Sequence, residues 1–290
     1  MSSLKEIKSR IASIQSTQKI TSAMRMIASA KLHRTQGMTE NFLRYMEQLR
    51  AILNDLGCAN IDDDVDMPVE EEKKMSVLLI PMASNSGLCG AFNSNLSKAT
   101  FKRINEWKAR GADLQLLPIG KKIYHELKKD NQPSITDYVT LMEKVEKGDP
   151  FEAVSQLTAH VLQLYQKGDI DTVEFVFHHF KSMGSQVVTV KELVLAPPKV
   201  GKVEADNPFL TEPSAEELIH ALHPRLLNAE VYGTLLDSFT SEHAARMLAM
   251  QTADDNANDL LKELTLLYNK TRQQAITNEL IDIMGGKVEQ

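Results

Sequence analysis

The fold is decided by the last fifty residues of the chain, positions 241–290, which read SEHAARMLAMQTADDNANDLLKELTLLYNKTRQQAITNELIDIMGGKVEQ. No proline or glycine occurs between positions 241 and 284, and the stretch is rich in Ala, Leu, Met, Glu, Gln and Lys, the residues that favour helix most. Apolar or small residues recur at steps of four and three, the seam spacing of a coiled coil: Ala257, Leu261, Leu264, Tyr268, Thr271 and Ala275. The pattern predicts one long helix that ends at Gly285-Gly286 and needs a second helix to cover its seam.

The first 56 residues are the candidate for that second helix, because no proline occurs before Pro68. The seam spacing occurs in two places, first at Leu4, Ile7, Ile11 and Ile14 and then, after a predicted shift of register, at Phe42, Met46, Leu49, Leu53 and Leu56. The intervening residues 15–19 and 24–31 are richer in small and polar residues than a plain seam requires, which for an arbitrary sequence indicates a solvated helix face with a loosely packed seam. Two such helices at opposite ends of one chain predict an antiparallel pair.

Composition and charge limit the classes of function. A formal charge of −6 and a pI near 5.8 argue against general nucleic-acid affinity, because clustered cations are needed to hold phosphate backbones. The charge is uneven: residues 1–50 carry nine Lys or Arg against three Glu, whereas residues 51–75 carry eight Asp or Glu against two Lys. A basic helix therefore precedes an acidic segment. The low aromatic content of 6% favours helix-rich packing over a compact enzyme core.

The compartment is indicated by cysteines and by hydropathy. Cys58 and Cys89 form neither a disulfide framework nor a metal-ligand spacing, which favours a reducing, cytosolic environment. No apolar run is long enough to span a bilayer, and the N-terminus lacks the pattern of a signal peptide. Any association with a membrane is therefore expected to occur through a partner.

The middle of the chain alternates strands with helices. The pattern predicts strands at 75–82, 113–117, 172–180 and 186–195, with helices at 94–110, 121–130 and 150–166. This order predicts a small, mostly parallel, Rossmann-like sheet covered on both faces, with an antiparallel hairpin around Gly184. Ser214 and Glu217 form a capping box that starts the last helix, and Pro224 is expected to kink that helix or to mark its true beginning. The predicted domains are an N-terminal coiled-coil helix (1–58), an acidic linker (59–74), a central α/β domain (75–196), a linker (197–210), a C-terminal coiled-coil helix (211–286) and a tail (287–290).

No stretch predicts an active site, a cofactor site or a metal site. Gly87 and Gly90 follow the first strand, but they lack the Lys-Ser or Lys-Thr pair of a P-loop and the full dinucleotide fingerprint, so a tight turn is the better interpretation. Cys89 has no His or acidic partner at a recognisable spacing and is interpreted as a buried structural thiol. His178 and His179 are adjacent on a strand, so one is expected to point inward and the other outward. What remains is a coiled-coil stalk on an α/β body, a shape that binds other proteins.

Three blocks of sequence resemble one known family. They are residues 7–32 (Ile7-x-x-Arg10-Ile11, then Thr17-Gln18-Lys19-Ile20-Thr21 and Ala23-Met24-x-Met26-Ile27-Ala28), the loop Ser84-x-x-Gly87-Leu88-Cys89-Gly90-x-Phe92-Asn93, and Ser241-Glu242-His243-Ala244-Ala245-Arg246-Met247 continuing to Tyr268-Asn269-x-x-Arg272-Gln273-x-x-Ile276-Thr277-x-Glu279-Leu280. With these blocks, which extend from end to end in the right order, the chain resembles the gamma subunits of F-type ATP synthases. The loop departs from the family at Asn85-Ser86, where an Asp-Arg pair is usual, which puts contacts of that loop in doubt.

The resemblance implies a central rotor shaft without an active site of its own. In the family the terminal coil turns inside a ring of alpha and beta subunits, while the body and lower coil contact the epsilon subunit and the membrane c-ring. Contacts with the beta subunit are carried over onto Met24, Arg246, Arg272, Gln273 and Thr277. The tip residues expected to enter an apolar sleeve are Leu280, Ile281, Ile283 and Met284.

The absence of a transit peptide and of a long redox-regulated insertion makes a bacterial type the expectation, at the cytoplasmic face of the inner membrane. Two alternatives stay open at this point. One is a free-standing coiled-coil adaptor with an α/β head, and the more distant one is a nucleotide-binding enzyme that uses the Gly87 loop.

Overall fold

The structure is a computed structural model and describes residues 4–56, 75–147, 150–197, 212 and 214–285. The acidic linker predicted at 59–74, Cys58, the linker predicted at 197–210 after its first residue and the tail at 287–290 lie outside these residues. The described elements are α1 (Leu4–Asp55), β1 (Ser76–Pro81), α2 (Phe92–Ala109), β2 (Asp113–Leu116), α3 (Lys121–Lys129), α4 (Leu141–Lys147), α5 (Pro150–Lys167), β3 (Thr172–Ser182), β4 (Ser185–Leu193) and α6 (Ala215–Gly285). They group into two compact units, a coil unit (residues 1–30 and 246–290) and an α/β unit (residues 31–245).

The burial pattern of α1 corrects one prediction. A single three-four series of covered positions continues through α1 and the residue after it without a shift of register, and Ser22, Met24, Met38 and Arg50 are half-buried beside it. The series is Leu4, Ile7, Ile11, Ile14, Gln18, Thr21, Arg25, Ala28, Leu32, Thr35, Thr39, Phe42, Met46, Leu49, Leu53 and Leu56. The predicted shift was wrong because Gln18, Thr21 and Arg25 occupy seam positions that a search for apolar residues passes over. The helix therefore keeps one face toward a partner along its whole length.

The sheet of the α/β unit has the strand order β2-β1-β3-β4. β1 is parallel to β2 and to β3, and β4 returns antiparallel to β3 through a turn at Met183-Gly184. This confirms the predicted small, mostly parallel sheet with a terminal hairpin. The short helix α4 was not predicted, because its seven residues are too few to display a helical period.

Helices cover both faces of the sheet because β1 is apolar on both sides. Leu78 and Ile80 point to the face packed by α4, α5 and part of α6, whereas Leu79 points to the face packed by α2 and α3. All three side chains are fully buried. Complete burial of such a side chain stabilises a fold by about 1.5–3 kcal/mol, which makes this strand the centre of the core.

Within the α/β unit, α6 also packs on the second half of α1. Met46, Leu49 and Leu53 of α1 form one apolar cluster with Ile219 and Leu226 of α6. The ring of Phe42 lies edge-on to that of Tyr232, with 5.3 Å between the centroids. This segment of α6 is thus covered by the sheet on one side and by α1 on the other.

The start of α6 matches the predicted capping box. The backbone N–H of Glu217 donates to Ser214 Oγ at 3.2 Å, and the helix begins at Ala215. Pro224 lies inside the helix, so it does not mark the helix beginning.

Candidate functional site: the terminal coil and its tip

The coil unit is an antiparallel pair of helices. Gln18 Nε2 donates to Asn258 Oδ1 at 2.7 Å, and Arg25 Nη2 lies 3.7 Å from Asp254 Oδ2. Residue numbers rise along α1 while they fall along α6 between these two contacts, so the helices run in opposite directions. The predicted antiparallel pair is confirmed.

The predicted seam of α6 is confirmed residue by residue. Ala257 is buried, and Leu261, Leu264, Tyr268, Thr271 and Ala275 are half-buried. The other residues from 258 to 284 are exposed. Both helices carry the same three-four spacing, and the contacts at Gln18 and Arg25 show that these two seams face each other.

The tip of α6 extends past the level of Leu4 and exposes apolar side chains. Its residues 276–284 are exposed without exception. The four predicted tip residues have exposed fractions of 56% (Leu280), 60% (Ile281), 64% (Ile283) and 71% (Met284). These four positions, two on either side of Asp282, leave apolar surface on several sides of the helix, which marks an interaction surface.

The five predicted beta-subunit contacts do not converge on one pocket. Met24 and Arg246 are half-buried, whereas Arg272, Gln273 and Thr277 are exposed. From Arg246 to Thr277 the helix rises by about 46 Å at ~1.5 Å per residue. Residues spread over this length form a surface along a rod, and their individual roles stay predictions.

The Gly87 loop is a turn held by its own side chains. The backbone N–H of Ser84 donates to Asn93 Oδ1 at 3.1 Å, and Asn93 Nδ2 donates to Cys89 Sγ at 3.1 Å. Gly90 has a φ of 60°, a conformation that suits glycine. Cys89 is only 2% exposed, as expected for a structural thiol. The loop thus uses its polar groups internally instead of presenting them to a ligand.

One aromatic pair lies near the carboxyl ends of β1 and β3, the edge at which open α/β sheets bind ligands. The rings of Phe92 and His178 stack there with 4.0 Å between their centroids. Burial lowers the pKa of His178 to about 4, so that its imidazole is neutral at physiological pH. His178 is buried and the adjacent His179 is exposed, as predicted.

A buried ion pair that the sequence does not reveal joins α2 to β3. Glu174 on β3 is 3% exposed, and its Oε2 accepts from Arg103 Nε at 2.7 Å and from Trp107 Nε1 at 2.9 Å. The Arg103 guanidinium also lies over the Trp107 ring, 4.9 Å from its centroid. The hydrogen bond to Glu174 raises the pKa of Arg103 further above its ordinary value. No sequence signal links Arg103 to Glu174, which is 71 positions away.

No described helix combines the length and the apolar character needed to cross a membrane. In the described ranges, no group of three or more His, Cys, Asp or Glu side chains is arranged to hold a metal ion.

One unit is an antiparallel helix pair with an exposed apolar tip and the other is a helix-covered, mostly parallel sheet, which defines an α/β protein with a terminal coiled coil. The family model described as ATP synthase matches residues 3–288. The chain is 51% identical over 288 residues to the ATP synthase gamma chain of Parabacteroides distasonis, covering 99% of this chain and 98% of that protein. The chain therefore belongs to the ATP synthase gamma chain family.

Further relatives and solved structures agree with this assignment. The ATP synthase gamma chain of Bacteroides fragilis is 44% identical over 301 residues, covering 99% of this chain and all (100%) of that protein. A chain of the Euglena gracilis mitochondrial ATP synthase has a TM-score of 0.65 at 20% identity and covers 98% of this chain and 93% of its own. A chain from the central stalk and c-ring structure of the Tetrahymena thermophila mitochondrial ATP synthase has a TM-score of 0.57 at 24% identity, covering 81% and 99%. At these identities the two structures show a similarity of fold alone.

Proposed function

We propose that this chain is the central rotor shaft of a proton-translocating F-type ATP synthase. In this role its coil turns inside a ring of alpha and beta subunits and drives the beta sites through ATP binding, synthesis and release. The chain itself is non-catalytic. Membership of the gamma chain family supports the role, and the observation that carries it is the coil unit with its exposed apolar tip.

The surface of the coil suits a shaft that must turn. A static interface is held by buried aromatic and Arg anchors. In residues 258–284 the exposed positions carry mainly polar and aliphatic side chains, and the one tyrosine, Tyr268, is half-buried in the seam. Contacts of this kind guide a rotating helix pair without fixing it at one angle.

The partners that we propose are the alpha and beta subunits, the epsilon subunit and the membrane c-ring, at the cytoplasmic face of a bacterial inner membrane. Contact with the membrane is proposed to occur only through these partners, and no nucleic acid is involved. Met24, Arg246, Arg272, Gln273 and Thr277 are the proposed contacts with beta. Leu280, Ile281, Ile283 and Met284 are the proposed contacts with an apolar sleeve.

The test is co-expression of the full chain with the alpha and beta subunits of its organism and purification through a tag on beta. We expect the chain to co-purify at one copy per ring and ATP hydrolysis to depend on it. Serine substitution of the four tip residues is expected to lower hydrolysis at least tenfold, about 1.4 kcal/mol. A matched control carries Leu43→Ser and Ile52→Ser, which are similarly exposed (54% and 48%) on α1 in the other unit. Assembly and full activity of alpha and beta without the chain would refute the proposal in favour of a free-standing adaptor.

A further inference from the structure

The seam of the coil unit changes character along its length. In the outer half, the covered seam positions are Leu4, Ile7, Ile11 and Ile14 on α1 and Leu261, Leu264, Tyr268 and Thr271 on α6. In the inner half, α1 contributes Gln18, Thr21, Arg25 and Ala28, and α6 contributes Ala257, Asp254, Met250 and Met247. At these seam positions both helices supply large apolar side chains only in the outer half, whereas in the inner half α6 alone supplies them, at Met247 and Met250. Polar contacts between the helices therefore have a larger part in closing the inner half.

A carboxylate occupies the seam of this inner half. Asp254 is 8% exposed, and its Oδ2 lies 3.7 Å from Arg25 Nη2. Its other oxygen, Oδ1, is buried and has no hydrogen-bond partner among the described residues. A buried carboxylate is costly unless a cation lies close by, so the position of Asp254 is tolerable only with Arg25 opposite.

The Arg25–Asp254 contact differs in kind from the other ion pairs of the coil. Arg10 and Glu6 form a 2.9 Å pair one turn apart on α1, with exposed side-chain fractions of 62% and 49%. That pair lies in water and joins α1 only to itself, so it contributes little. Arg25 and Asp254 lie on different helices. The Gln18–Asn258 hydrogen bond is a second interhelical contact, one turn away along α6.

We propose that Arg25 and Asp254 form an interhelical clasp that keeps the inner half of the coil closed, and that they are positioning residues for transmitting torque through the helix pair. In the inner half of the coil, apolar packing is sparse, and it is nondirectional. An ion pair, in contrast, joins two fixed points on the helices. Opening of the coil is then opposed in this stretch mainly by polar contacts. The closure part stands on the coil alone, and only the torque part rests on the proposed rotor function.

The closure part is tested by amide hydrogen exchange on the full chain. We expect Arg25→Met to speed exchange in residues 18–28 and 250–258 at least tenfold, about 1.4 kcal/mol of opening free energy, and to leave residues 261–275 unchanged. Asp254→Asn keeps the side-chain shape and is expected to act in the same direction, so it carries the test if Arg25→Met does not fold. Arg10→Met, which removes a cation from the same helix, is the matched control and is expected to change nothing. Equal exchange in Arg25→Met and Arg10→Met would overturn the clasp.

The torque part is tested by the ratio of ATP-driven proton transport to ATP hydrolysis in membranes containing the complete synthase. We expect Arg25→Met to lower this ratio, and Arg25→Lys and the charge-reversed pair Arg25→Asp/Asp254→Arg to restore it, because both keep an interhelical ion pair. A ratio that is unchanged in Arg25→Met, or that the reversed pair fails to restore, refutes the positioning role. Faster amide exchange in Arg25→Met with an unchanged ratio of proton transport to hydrolysis supports the clasp and refutes its role in torque. If the chain fails to assemble with alpha and beta at all, the rotor proposal fails, while the exchange result still judges the clasp.

Discussion

The ion pair that joins α2 to β3 allows a sharp stability prediction. Arg103→Met leaves the carboxylate of Glu174, 3% exposed, with Trp107 as its one remaining side-chain donor in the described chain. Removing one partner of a buried ion pair costs about 3–5 kcal/mol, because the other charge stays buried without compensation. The Arg103 side chain is 22% exposed, so water can replace part of what it supplies. We therefore expect a loss near the lower end, about 3 kcal/mol of the free energy of unfolding.

The assay is urea denaturation followed by tryptophan fluorescence. Trp107 is the only tryptophan of the chain and donates to the same carboxylate, so its emission reports directly on this cluster. Arg110→Met is the matched control. The Arg110 guanidinium, like that of Arg103, lies over the Trp107 ring, 4.9 Å from its centroid, but it does not bond to Glu174. This substitution should cost about 0.5–1 kcal/mol, the value of an exposed cation–π contact. If Arg103→Met costs no more than Arg110→Met, the ion pair contributes nothing and the reasoning is wrong.

Three further predictions concern other parts of the fold. Gly233→Ala should destabilise the α/β unit by about 1–3 kcal/mol despite the better helix propensity of Ala, because the new Cβ would lie 2.6 Å from the ring of Phe42. Thermal unfolding measures the loss of stability, and adding Phe42→Leu should relieve it. Burial depresses the pKa of His178 to about 4, so the unfolded chain takes up this proton first as the pH falls; the contribution of His178 to stability is therefore complete above about pH 6.5 and is lost toward pH 4 by at most ~1.4 kcal/mol per pH unit. Urea denaturation as a function of pH measures this slope, and His178→Phe should flatten it. Ser214→Ala removes the cap of α6 and should cost about 1 kcal/mol, seen as faster amide exchange confined to the first turn of that helix; unchanged exchange there would contradict the capping role.

Most of the fold could be predicted from the sequence because its signals are local and repeated. The first strand was predicted at residues 75–82 and is found at Ser76–Pro81, since a short apolar run between a polar segment and a glycine turn has few other interpretations. The seam of α6 was predicted at every position because its spacing persists through six residues. The structure departs from the sequence-based expectation where polar residues occupy seam positions that usually carry apolar side chains. Arg25 and Thr21 in the seam of α1 are the example, since their burial depends on what α6 places opposite them.

Less of the candidate site than of the fold could be predicted from the sequence. Exposure of the tip follows from α6 being longer than its partner, which the two predicted helix lengths already imply. The Arg103–Glu174 pair and the Phe92–His178 stack could not be predicted, because each joins residues that are distant in sequence and carry no shared motif. Contacts of this kind are set by the packing of α2 on β3, and packing is a property of the folded chain.

The tip of α6 has an arrangement that the coil alone does not explain. Along residues 257–275 the residues at the three-four spacing are turned into the seam, as in a solvated coiled coil, although Leu260, Leu266 and Leu267 outside that spacing are exposed (48%, 71% and 45%). Beyond Ala275 the seam ends, yet Ile276, Leu280, Ile281, Ile283 and Met284 follow in close succession, each at least 47% exposed. A helix end that is apolar on several sides favours association with a partner. The sequence of the tip is therefore suited to an apolar surround, which is the environment that the proposed sleeve supplies.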